Sequence, residues 1–357
     1  MPAAVFQSVI IGGGYGTGRE VVEYVTRHGA WGGVIATSII AVIFAAVLST
    51  SFVFAQRFQV FNYRNFLISL LGPFWVIYEI LFLLLLVLVL AIVSSAISNI
   101  FSHRFDTPPI IAVITLMSLV SLLNYYGREF VERLLSFSTI ILMLSLSVLT
   151  IFTVTLLYDD ILNSFLAPTA IPDAIQSGTQ FAIYNSALIP VLIYCAAKAK
   201  TSNEAMKAGF IAGLFGAAPA LMLHITFLPY MPEIMTQKIP TYYLLEKIGL
   251  DWAITSYFLI LTGTIILTAV GILQGVNERI DSWKKDSGLG TGLAPWQRAL
   301  VAGTLTFISI FLAKFGIVAL IAKGYGTLSW AFLVVFTIPL MTMGIIKIRR
   351  KGNINET

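Results

Sequence analysis

Charge is scarce in this chain. Only 11% of its 357 residues are Asp, Glu, Lys or Arg, while 58% are hydrophobic and the mean hydropathy is +0.89. A soluble domain carries about 25% charged residues, so the composition excludes one and describes an all-α integral membrane protein. The single cysteine, Cys195, excludes an intramolecular disulfide and a cysteine zinc cage. Three histidines, His28, His103 and His224, lack metal-ligand spacing, and His224 falls in an apolar run where a hydrogen-bonded packing role is expected. No G-x-x-x-x-G-K-[ST], G-x-S-x-G or H-E-x-x-H occurs, so neither an enzyme nor a bound cofactor is expected. Met1 to Ser8 has no basic n-region, so no cleavable signal is expected before the first apolar stretch.

What is present is one apolar run after another. Ten stretches of membrane-spanning length can be drawn, at 3–29, 33–56, 73–101, 108–126, 134–157, 175–197, 204–228, 252–277, 297–315 and 328–348. The third exceeds what a bilayer needs and should tilt or project. Between the seventh and eighth, 229–251 reads as a cap outside the membrane with a short helix from Thr241 to Lys247. Gly324-Tyr325-Gly326 reads as a turn into the last span. With the N-terminus inside, fifteen Lys and Arg residues fall on inner connections and the tail. Five, Arg27, Arg104, Lys238, Lys247 and Lys323, fall outside. That bias places both termini in the cytoplasm of a multi-pass cytoplasmic-membrane protein. The net charge of +5 follows from these dispersed topology signals, so the lipid bilayer is the expected partner and nucleic acid is not.

The first span contains Gly12-Gly13-Gly14-Tyr15-Gly16-Thr17-Gly18, five glycines in seven residues, followed by Arg19, Glu20 and Glu23. Each glycine costs about 1 kcal/mol relative to alanine in a helix, and unwound backbone at membrane depth survives only where it is buried in protein or lines a cavity. Five spans later the sixth is interrupted around Tyr184-Asn185-Ser186-Ala187-Leu188-Ile189-Pro190. Five is odd, so the halves 1–160 and 161–350 enter the membrane in opposite senses, with 351–357 as a tail. Paired interruptions in opposed halves point to a midplane binding site of a secondary transporter.

At these residues the chain resembles the amino acid–polyamine–organocation superfamily, and more closely its YkvI-like branch. The resemblance rests on the Gly-rich run through Glu20, the broken sixth span, and Leu320-Ile321-Ala322-Lys323-Gly324-Tyr325-Gly326. It implies a LeuT-like five-plus-five inverted repeat of ten transmembrane helices with helices 1 and 6 broken. It also implies alternating-access transport of a small-molecule substrate, an amino acid or similar zwitterion. By the same resemblance, Gly16-Thr17-Gly18, with Gly14 and Tyr15 beside it, receives the substrate's carboxylate. Carbonyls of Gly12 and Tyr15 with hydroxyls of Thr264 and Thr268 form a candidate sodium site, Thr262 being weaker. The fifth span lacks the lysine that proton-coupled relatives use, which favours Na+ over H+; Gly13 replaces the asparagine of a second sodium site. A monomer and a homodimer are both compatible with the sequence.

Tyr15, Phe181 and Tyr184 flank the interruptions as gates or pocket walls, and Asn185, with Ser186 beside it, is the best side-chain donor to a substrate. Arg19 has Glu20, Glu23 and Glu79 as possible charge partners. Intramembrane ionisable groups are functional candidates because each costs about 3 kcal/mol at mid-helix. Two further readings stay open: an organic-cation or amine transporter with Glu20 or Glu79 as counter-charge, and a solute sensor that does not transport.

Overall fold

The computed structural model describes residues 2–354, apart from 12, 107, 127, 168–170, 250, 287 and 289–291. Among the described residues there is no strand. The chain runs through α1 (Pro2–Ile10), a single turn α2 (Gly13–Gly16), α3 (Arg19–Tyr24), α4 (Gly29–Phe58), α5 (Tyr63–Leu71), α6 (Trp75–Phe105), α7 (Pro109–Tyr126), α8 (Arg128–Leu156) and α9 (Tyr158–Ser164). The second half has α10 (Ile171–Ser186) with a 3-10 continuation Ile189–Lys198, then α11 (Ser202–Phe227), α12 (Pro240–Ile248), α13 (Asp251–Asp286), α14 (Pro295–Ala313), α15 (Ile317–Ala319), α16 (Gly326–Phe332) and α17 (Ile345–Ile354).

Six helical stretches are long and apolar enough to cross a bilayer: Arg19–Phe58, Tyr63–Ser102, Ser202–Tyr230, Ile254–Lys285, Pro295–Ala313 and Ile317–Lys351. Two bent pairs, α8 with α9 at 88° and α10 with its 3-10 continuation at 66°, raise the number to as many as eight. The protein is therefore an all-helical, multi-pass membrane protein. The first expected span is in pieces, and both expected interruptions are present. The expected turn at Gly324-Tyr325-Gly326 is not: Leu320–Tyr325 is π-helical and runs directly into α16. The chain turns earlier, at Gly316, whose φ is +78°. In lipid an open turn would strand backbone groups, which a helix keeps paired. Gly324 instead makes room for Leu88, whose Cδ1 lies 2.8 Å from where a Cβ would sit.

Local sequence sets several boundaries. Thr201 caps α11 by accepting from the Glu204 N–H (3.2 Å), while Glu204 Oε2 accepts from the Lys200 N–H (2.9 Å). Asn62 caps α5 in the same way, from Arg64 N–H at 3.0 Å and Asn65 N–H at 3.4 Å. Inside α11, Pro219 lacks an N–H and leaves the Phe215 carbonyl without its helical partner. Gln7 Nε2 of α1 donates to that carbonyl at 2.8 Å, tying the first broken segment to α11. Small residues bring α11 against α4: a Cβ on Gly213 would meet Ala45 N at 2.3 Å, and one on Gly209 would meet Ser49 N at 2.5 Å.

Contacts define two ends. At the basic end Arg57 Nε donates to Ser202 Oγ (3.0 Å) and Lys347 Nζ to the Ser69 carbonyl (2.7 Å), joining α4, α5, α11 and the C-terminal helix. At the cap end α12 lies against the first break.

Candidate functional site

The first break is built by Gly18, whose φ of +77° is open to glycine and strained for other residues. The chain restarts at Arg19, but α3 lasts only six residues before a 3-10 turn, Thr26–His28. A Cβ on Gly18 would lie 2.5 Å from Phe227 Cζ, so the break is packed tight against the end of α11. Its loose carbonyls are already taken. Tyr257 OH of α13 donates to Gly16 O (2.5 Å), and Thr241 of α12 donates to Thr17 O through N–H (3.2 Å) and Oγ1 (3.1 Å).

Charge seals the same end. Arg19, 4% exposed, donates Nη1 to the carbonyls of Met235 (2.7 Å) and Gln237 (3.1 Å), and Nη2 to Glu23 Oε2 (2.7 Å). Glu23 also pairs with Arg27. Arg19 thus chooses Glu23 among its expected partners. Glu79 stands at the basic end instead, paired with Arg279 Nε at 3.1 Å and accepting from Tyr63 OH at 2.5 Å. The Arg279 guanidinium lies 4.3 Å from the Phe82 ring centroid and 4.5 Å from that of Tyr63.

Between these ends is a cavity of about 200 Å³. Its walls are Val9 and Ile10 of α1, Phe82, Leu85, Leu86 and Val89 of α6, Leu188 and Val191 beyond the second break, and Gly271, Ile272 and Gly275 of α13. Six polar side chains line it: Glu20, Tyr184, Asn185, Thr268, Arg279 and Tyr325. Glu20 is 4% exposed and accepts a hydrogen bond from Tyr184 OH at 2.5 Å. It has no cationic partner among the described residues. Tyr184 stacks on Tyr325 at 4.2 Å and 15°. Above them Tyr15, Tyr24 and Phe181 form an aromatic layer, with Phe181 5.8 Å from Tyr15 and 6.0 Å from Tyr24.

The expected residues therefore divide. Glu20, Tyr184 and Asn185 come together on the cavity wall. Tyr15, Gly16, Thr17, Gly18, Phe181 and Ser186 are buried but are not among the lining residues. Gly14 lies in the single turn α2, and Gly12 lies outside the described residues. The carboxylate seat expected at Gly16-Thr17-Gly18 is not on the cavity wall: the Gly18 N–H donates to the Tyr15 carbonyl (2.9 Å), and α12 and Phe227 pack on the turn. Asn185, expected as a donor, gives an Nδ2 hydrogen to the Phe181 carbonyl (3.0 Å), which leaves its Oδ1 as an acceptor on the cavity wall. Tyr15 OH and Ser186 Oγ are buried without a hydrogen-bond partner.

Thr264 and Thr268 share a helix face with Tyr257 and Leu261, the face that meets Gly16. Each donates its hydroxyl hydrogen to the carbonyl four residues back, at 2.8 Å, and each oxygen keeps lone pairs. Among the described residues no group of three or more His, Cys, Asp and Glu side chains could hold a metal ion. His224 bonds the Ala30 carbonyl (2.9 Å) and Thr26 Oγ1 (3.2 Å), the packing role expected of it.

Sequence reasoning missed Tyr24, Tyr63, Tyr257 and Thr241, and counted Arg279 only as a topology signal. Their roles come from contacts between distant elements, and a lone tyrosine or threonine in an apolar run carries no mark of them. No family model matches the chain, and no curated protein does.

Proposed function

We propose that this protein is a secondary transporter of a small solute bearing a protonated amine, working by alternating access on a LeuT-like five-plus-five plan. The observation that carries the reading is Glu20. It is a carboxyl with no cationic partner among the described residues, held by Tyr184 of the other broken helix on the wall of a cavity between apolar helices. Such a group is costly in a membrane unless a ligand or ion uses it. Asn185 Oδ1 and the faces of Tyr184 and Tyr325 add acceptors and π-surface suited to an ammonium group. The amine reading is favoured over an α-carboxylate at the glycine break because Gly16, Thr17 and Gly18 do not line the cavity and the Gly18 N–H is given to the Tyr15 carbonyl.

The repeat plan has support in packing. The helix following each break packs against the broken element of the other half: α4 against α10 and its continuation, α11 against α1. In this reading the basic end is cytoplasmic, both termini are inside, and the cap end is outside and closed. The threonine face of α13, which meets Gly16, is the proposed sodium seat.

The test is a thermal-shift screen of purified protein against amines and amino acids in sodium or potassium. The best compound is then followed into liposomes bearing the wild type or Glu20→Gln, under a sodium gradient, a proton gradient or neither. Accumulation above the Glu20→Gln level supports the proposal. A compound that stabilises the protein yet never accumulates makes it a sensor instead.

A further inference from the structure

The cavity has a second charged seat. Arg279 lines it at the basic end, while Glu20 lines it beneath the aromatic layer. Side chains of α6 mark the level of each seat. Phe82 carries the Arg279 guanidinium on its ring, and Leu88 packs on Gly324, next to the Tyr325 that stacks on Glu20's partner Tyr184. Six residues of helix place those levels roughly 9 Å apart, a distance that one small solute can span.

Arg279 is held for such a role. Two aromatic rings and Glu79 fix its plane, and the ion pair with Glu79 is made through Nε. That leaves the two-NH2 edge of a guanidinium, the geometry that receives a carboxylate or phosphonate by two parallel hydrogen bonds. Glu79 is itself engaged by Tyr63 OH. Between the two charged seats the wall is apolar: Leu85, Leu86, Leu188 and Ile272.

We infer that Arg279 seats an anionic group of the same solute whose amine sits at Glu20. The solute lies with its amine toward the breaks and its acid toward the basic end, the reverse of a carboxylate held at Gly16-Thr17-Gly18. The inference rests on the amine reading of Glu20. It adds that a bipolar solute binds better than the amine alone.

The test is calorimetric binding to purified full-length protein of a series from glycine to 6-aminohexanoate, each against the alkylammonium of matching length without the carboxylate. A charge-assisted pair predicts that the best zwitterion binds about tenfold or more tightly than its amine, and that Arg279→Gln removes the advantage. Glu79→Gln, which keeps the guanidinium and removes its competitor, should strengthen the zwitterion. It serves as the second variant if Arg279→Gln does not fold. Amines that bind as tightly as their zwitterions, or an advantage that persists in Arg279→Gln, overturn the inference while leaving the Glu20 seat intact. If neither the alkylammoniums nor the zwitterions bind, the amine seat fails first and this inference falls with it.

Discussion

Tyr184 donates its hydroxyl to Glu20 at 2.5 Å, joining the two interrupted helices at the wall of the cavity. The bond links a residue just past the first break to one just before the second. Tyr184→Phe removes the donor and keeps the ring that stacks on Tyr325. A hydrogen bond to a charged group contributes about 1.5–3 kcal/mol, so amine affinity in the variant should fall by roughly tenfold or more with little change in helix content. Titration calorimetry beside circular dichroism separates the two effects. Unchanged affinity would place the solute elsewhere.

Arg19 fastens the first break to the cap loop through the Met235 and Gln237 carbonyls while neutralising Glu23. In Arg19→Ala those carbonyls lose a donor and Glu23 keeps only the half-exposed Arg27. Breaking a buried pair by removing one partner costs about 3–5 kcal/mol. The loss should appear as faster amide exchange over 229–248, with the basic end unaffected. Equal exchange at both ends would mean that Arg19 is not what holds the cap.

Close approach of α4 and α11 gives a packing prediction with a built-in control. Gly213→Val would drive a side chain into the Ala45 backbone, whose nitrogen lies 2.3 Å from where the new Cβ would sit. Overpacking of this sort costs about 1–3 kcal/mol. Gly263, within α13, has nothing within 4 Å of the equivalent position, so Gly263→Ala should be neutral or stabilising by about 0.5–1 kcal/mol. In thermal unfolding in detergent Gly213→Val should melt earlier than the wild type, and Gly263→Ala no earlier.

The glycine run was legible because composition alone argues against a helix there, and the second interruption because Pro190 and its polar neighbours stand in an apolar run. Glu20 was legible as a charge where charge is expensive. What filled the first break was not legible. Tyr257 and Thr241 lie far away in sequence, and only the fold brings their hydroxyls to Gly16 and Thr17. The Arg279–Glu79 pair was hidden for a different reason: an arginine near the end of an apolar stretch has the same signature whether it marks topology or lines a cavity. Gly324 and Gly326 misled because glycine signals a turn in water, whereas here it admits Leu88 beside an unbroken helix.

Gln7 and Pro219 give a prediction that isolates one hydrogen bond. Pro219 has no N–H for the Phe215 carbonyl, and Gln7 Nε2 supplies the missing donor from α1 at 2.8 Å. Gln7→Leu should cost about 1–3 kcal/mol, the penalty of an acceptor left unpaired away from water. Pro219→Ala restores the helical N–H, so in that background the same Gln7→Leu change should cost much less. The difference between the two is the coupling energy of a double-mutant cycle, read from thermal unfolding of four proteins. A coupling near zero would mean that the Phe215 carbonyl finds another donor, and that α1 is tied to α11 by packing, as of Phe6 against Gly216.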